Sequence, residues 1–98
     1  MNKDEQGYNG WTNYETWAVN LWLTNDEGSQ DEVIRLTQEA VINGEVHPAH
    51  NLADSLRCWV EDEAPDMGAS LYADLLGAAM SSVNWDELAA HYLEDYNE

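Results

Sequence analysis

A chain with 20 carboxylates and only three cationic side chains has to fold against its own charge. The formal net charge is −17 over 98 residues, and Lys3, Arg35 and Arg57 supply all of the Lys and Arg. Compaction brings the like charges together, and their repulsion costs stability. Low hydrophobicity combined with high net charge normally leaves a chain disordered. This sequence is 44% apolar with five Trp and five Tyr, which disordered acidic chains lack. The aromatics also fall at helical spacing. The expectation is one acidic all-α domain spanning residues 1–98, a small bundle of about five short helices, with residues 1–11 as a flexible lead.

Five amphipathic segments carry that expectation. The first runs from Asn13 to Thr24, with Tyr14, Trp17, Ala18, Leu21 and Trp22 on one face and Thr12 and Glu15 as a capping box. The second runs from Gln30 to Asn43. Its face is Val33, Leu36, Thr37, Ala40 and Val41, Ser29 and Glu32 form its capping box, and Gly44 is its stop. The third opens at Pro48, a residue suited to the first helical position, and ends before Pro65. Its face is Leu52, Ala53, Leu56, Trp59 and Val60. The fourth begins near Asp66 as N-cap and carries Leu71, Tyr72, Leu75, Leu76, Ala79 and Met80. The fifth follows Asn84, with Trp85, Leu88, Ala89, Tyr92, Leu93 and Tyr96 along one side. No strand pattern competes with these stripes.

The charge excludes nucleic acid, anionic membrane and acidic substrates as partners and points to a basic groove, which in cells usually holds DNA or RNA. The magnitude fits. Seventeen charges match about 29 Å of duplex, and a compact chain of this length has a radius of gyration of about 12.6 Å, hence a diameter of about 32 Å. Three groups of acids stand out. Asp26, Glu27, Asp31 and Glu32 crowd the expected first loop, Glu61, Asp62, Glu63 and Asp66 the end of the third helix, and Glu94 and Asp95 the last helix. Asp31, Glu32, Asp66, Asp86 and Glu87 read as first-turn residues, where the helix dipole favours anions. Glu61, Asp62 and Glu63 sit at a C-terminus, where it disfavours them. Adaptation to high salt would also favour acids, but as an even coating rather than a ridge.

Other chemistry finds little support. His47 and His50 stand at H-x-x-H spacing, but Cys58 lies two turns beyond His50, too far to complete a zinc site. Asn25-Asp26-Glu27-Gly28 lacks the glycine and glutamate positions of a calcium loop. No nucleophile elbow, P-loop or dinucleotide fingerprint is present. The acids look exposed, whereas a general acid needs burial to raise its pKa. The expectation is therefore no enzyme, no metal and no cofactor. The single Cys58, the lack of a long apolar stretch and the lack of a leader suggest a cytoplasmic protein. Either a monomer or a dimer is compatible with the sequence.

The run Gly10-Trp11-Thr12-Asn13-Tyr14-Glu15-Thr16-Trp17-Ala18-Val19-Asn20-Leu21-Trp22-Leu23 resembles a group of small acidic proteins from phages and mobile elements. Ala64-Pro65-Asp66-Met67-Gly68-Ala69-Ser70-Leu71-Tyr72-Ala73-Asp74-Leu75-Leu76 and Val83-Asn84-Trp85 resemble the same group. The resemblance implies a mobile-element origin, and it brings a likeness of class to anti-CRISPR and anti-restriction DNA mimics. It transfers no functional residues; Asn13, Glu15, Thr16 and Asn20 read as props of the first helix. The functional expectation is a DNA-mimic inhibitor of a host defence nuclease complex, most directly an anti-CRISPR protein that blocks target or PAM DNA binding. An anti-restriction mimic or a halotolerant accessory protein that binds through aromatics are the alternatives.

Overall fold

A computed structural model describes residues 10–43 and 47–96. Five helices follow in order: α1 (Tyr14–Asn25), α2 (Glu27–Ile42), α3 (Pro48–Glu63), α4 (Leu71–Ser82) and α5 (Trp85–Tyr96). No strand occurs among the described residues, so the all-α expectation holds.

The core lies where α2, α3 and α5 pack on one another. Leu52, Leu56, Leu88 and Ala89 are fully buried, with Val33, Leu36, Ala40, Ala53, Tyr92 and Leu93 around them. These are the stripes expected for the second, third and fifth helices. Trp59, Val60 and Trp85 pack half-buried against this core. So does Trp11, whose ring stacks tilted on His91 at 4.9 Å.

The first helix departs from expectation. Its buried side holds Thr16 and Leu23, with Val19 and Asn20 half-buried. The more apolar side turns outward: Trp22 is 74% exposed and Tyr14 56%. The reason is a set of hydrogen bonds that only the polar side can make. Thr16 Oγ1 donates to Asn13 Oδ1 (2.6 Å) and accepts from the Asn84 N–H (2.8 Å). Asn13 Nδ2 donates to the Ser82 carbonyl (2.7 Å), and Tyr92 OH donates to Asn20 Oδ1 (2.8 Å). A buried backbone N–H left unpaired costs about 1–3 kcal/mol, so these partners outweigh one exposed Trp.

Capping is corrected at three helices. Asn13, not Thr12, caps α1, accepting from the Thr16 N–H at 2.9 Å. Asp26, not Ser29, caps α2, so that helix starts three residues earlier than expected and no loop separates it from α1. Ser70, not Asp66, caps α4. Asp66 instead accepts from the Gly68 N–H (3.0 Å) in a turn where Gly68 has a φ of +60°, a conformation that suits glycine. Asn84 does cap the α5 start, accepting from the Glu87 N–H at 3.0 Å. The Gly44 stop lies outside the described residues.

The fourth helix is the loosest element. Among the helices it packs on α1 alone, and it buries no residue. Leu71, Tyr72 and Leu75, expected in the core, are 67%, 67% and 58% exposed.

Candidate functional site

No described carboxylate is buried, which follows from the cost of burying an unpaired charge. The expected partner-binding acids divide into groups with different local roles. Glu61, Asp62 and Glu63 form the last turn of α3, all exposed, with no basic residue in that turn. Asp66 is exposed three residues further on, in the linker to α4. Helix C-termini repel anions, so this group sits where local electrostatics disfavours it.

The group around the α1–α2 corner is more conventional. Asp26 is a cap, Glu27 lies in the first turn of α2, and Asp31 is exposed. With α2 starting early, Asp31 and Glu32 fall beyond its first turn. Arg35 takes Glu32 in two hydrogen bonds (2.6 and 3.0 Å) and reaches Glu39 at 3.1 Å. The hydrogen bond from Arg35 holds the Glu32 carboxyl below its usual range. Glu32 is therefore already partnered and is the weakest of the ten candidates.

Glu94 and Asp95 are exposed at the end of α5, and Asp95 lies 3.6 Å from His91 one turn earlier. Asp95 shares a cavity with Thr24, Gln30 and Ile34, which places the end of α5 beside the start of α2. Burial, reinforced by the charge of Asp95, raises the Tyr92 hydroxyl pKa above its ordinary value.

Glu61 belongs to the other end of the molecule. It shares a groove of about 400 Å³ with Trp85, the first residue of α5. Ten residues of helix separate Trp85 from Asp95, a rise of about 15 Å. The structure thus brings Asp95 to the α1–α2 corner and leaves Glu61, Asp62, Glu63 and Asp66 apart at the opposite end of α5.

The described residues span 41 × 38 × 26 Å, with a radius of gyration of 14.3 Å. A duplex 41 Å long carries about 24 phosphates. The described residues hold 16 Asp and Glu against Arg35 and Arg57, a net of −14, so the close match expected for a rounder molecule does not hold along the long axis.

Over residues 4–98 the sequence matches DUF7249, a family of unknown function. The chain belongs to DUF7249. No curated protein and no solved structure matches it. Within this DUF7249 chain, the Thr12–Thr16 run and Asn84 form one polar knot: the Thr12 N–H also donates to Glu87 Oε1 (3.1 Å), joining the α1 entry to α5. Of the four residues read as props of the first helix, Asn13, Thr16 and Asn20 make these hydrogen bonds and Glu15 does not. Among the described residues no group of three or more His, Cys, Asp or Glu is arranged to hold a metal ion, and His50 instead faces Asp54 at 3.7 Å. No described helix is long and apolar enough to cross a membrane.

Sequence reasoning missed the groove. Its walls are Arg57 and Glu61 of α3, Pro65 and Met67 of the linker, Leu76, Gly77 and Met80 of α4, and Trp85. The available signal was Gly77, an isolated glycine inside a helical pattern, which asks for a packing or functional reason.

Proposed function

We propose that this protein is a DNA-mimic inhibitor of a host defence nuclease complex, most directly an anti-CRISPR protein that blocks target or PAM DNA binding. Its partner is a basic DNA-binding groove of a CRISPR effector, with a restriction enzyme as the second choice of target. It contacts neither nucleic acid nor membrane itself. The observation that carries this reading is the exposed Glu61-Asp62-Glu63 turn, followed by Asp66, without a basic residue in that turn. Three carboxylates at a helix C-terminus cost local stability, and a cationic partner recovers that cost on binding. The Arg and Lys side chains that read a PAM already bind a short DNA duplex.

The alternative is an accessory protein that binds through aromatic side chains. Trp22 and Tyr72, both largely exposed, favour it. One experiment separates the two. Purified effector with its guide is titrated with this protein, and retention of labelled target duplex is measured. Mimicry predicts loss of DNA binding near one molecule per complex, weakening steeply between about 50 and 200 mM salt. Reversing Glu61, Asp62 and Glu63 to Lys should abolish inhibition. Inhibition that ignores salt and survives charge reversal, yet is lost in Trp22→Ala/Tyr72→Ala, would establish the aromatic reading instead.

A further inference from the structure

We infer that the groove between α3 and α4 is a docking site for a basic amphipathic helix of a partner protein. An apolar side chain of that helix enters between Met67, Leu76, Met80 and Trp85, and its Lys or Arg meets Glu61 and Asp66. This goes beyond the proposed function, because it requires an apolar anchor and stands whether or not the partner binds DNA.

Three observations converge. First, the groove is apolar and of useful size. Its volume of about 400 Å³ lies within the range of pockets that bury a compact ligand, and methionines let such surfaces adapt to an occupant. Second, the rim is anionic. Glu61 lines the groove, Asp62 and Glu63 follow it, and Asp66 stands between the lining residues Pro65 and Met67. Among the described residues Arg57 is the one lining cation. An apolar floor inside an acidic rim complements a helix with an apolar stripe flanked by basic residues. It disfavours a second copy of this chain, which would bring another −17 charges.

The third observation is Gly77. A glycine inside a helix costs about 0.8–1 kcal/mol relative to alanine. Here nothing in the fold requires it. Its backbone is helical, and beyond the neighbouring residues and backbone of its own helix a Cβ there would meet no described atom within 4 Å. What a side chain at Gly77 would occupy is the groove, whose wall it forms. The missing side chain leaves room for an occupant that the folded chain does not supply. The loose seating of α4, on α1 alone, lets the groove adjust its width.

The test uses the methionines. The chain has three, Met1, Met67 and Met80, and the last two line the groove. The full chain, labelled with ¹³C at the methionine methyls, is titrated by NMR with a synthetic helix of Leu and Lys that has its leucines on one face. A peptide of the same composition with scattered leucines is the control. The expected result is saturable shifts of the Met67 and Met80 methyls with the amphipathic peptide and none with the control. Gly77→Leu should raise the Tm and weaken the peptide by roughly ten- to a hundredfold, the usual cost of overfilling a packed space. Unmoved Met67 and Met80, equal shifts with the scattered peptide, or undiminished binding to Gly77→Leu would each overturn the inference. The failure of mimicry is read separately, by charge reversal in the effector assay.

Discussion

The two sides of this molecule are built differently. On one side α2, α3 and α5 enclose Leu52, Leu56 and Leu88 with no exposure at all. On the other, α4 is a strongly apolar helix with no fully buried residue, and α1 turns Tyr14 and Trp22 outward. The first side holds the fold. The second carries apolar surface that folding left uncovered. The lesson is that hydrophobicity alone does not say which helix is core: α4 is more apolar than α3 yet far less buried. The polar knot joins the sides, pinning the start of α1 to the turn between α4 and α5 through Thr16 and Asn84.

The largest effect that tests this contrast is expected in the core. Leu56→Ala should cost about 2–5 kcal/mol in urea denaturation, since a buried leucine leaves a cavity. A smaller loss would mean that the three-helix core is as loose as the α4 side. Next is the joint between the sides. Thr16→Val keeps the shape but strands the Asn84 N–H, and should cost about 1–3 kcal/mol, with faster hydrogen exchange at the Asn84 amide. Unchanged exchange would remove the knot from the account of why α1 is turned.

A further break comes from pH at Tyr92. Burial raises its folded pKa, so the unfolded chain releases this proton first, near pH 10. Above that value the unfolded state binds fewer protons than the folded one, and stability falls as pH rises. The contribution is complete below about pH 10 and is lost as pH climbs towards the folded value. Thermal melts from pH 8 to 11 should show the decline, and Tyr92→Phe should flatten it while costing about 0.5–1.5 kcal/mol at neutral pH for the bond to Asn20. The smallest effect is expected at α4: Leu75→Ala should change stability by no more than about 0.5 kcal/mol in the same urea experiment. A core-sized loss there would mean that α4 is a structural helix, and the groove beside it would lose its case for adjustable width.

The candidate site was half legible. Glu61, Asp62, Glu63 and Asp66 were visible as a group because charges adjacent in sequence stay adjacent at a helix end. Glu32 was not separated from Asp26, Glu27 and Asp31 in sequence, because adjacency alone does not show that Arg35, one turn on, holds it. Asp66 was assigned to a cap it does not make, since Ser70 offered an equally good hydroxyl nearer the apolar run. The groove was invisible because its residues come from four elements, and its clue, Gly77, has no meaning until its surroundings are known.

What the sequence by itself determined is local: five helices, the α5 cap at Asn84, and the buried stripes of α2, α3 and α5, where periodicity and tertiary demand agree. The orientation of α1 was decided only in three dimensions. Its two faces are both apolar enough to bury. The choice between them fell to Thr16 and Asn20, whose partners Asn84 and Tyr92 lie 68 and 72 residues away. Helical periodicity reads neighbours one turn apart. It carries no record of a backbone N–H that must find an acceptor across the fold, and here that requirement set which face of α1 met the core.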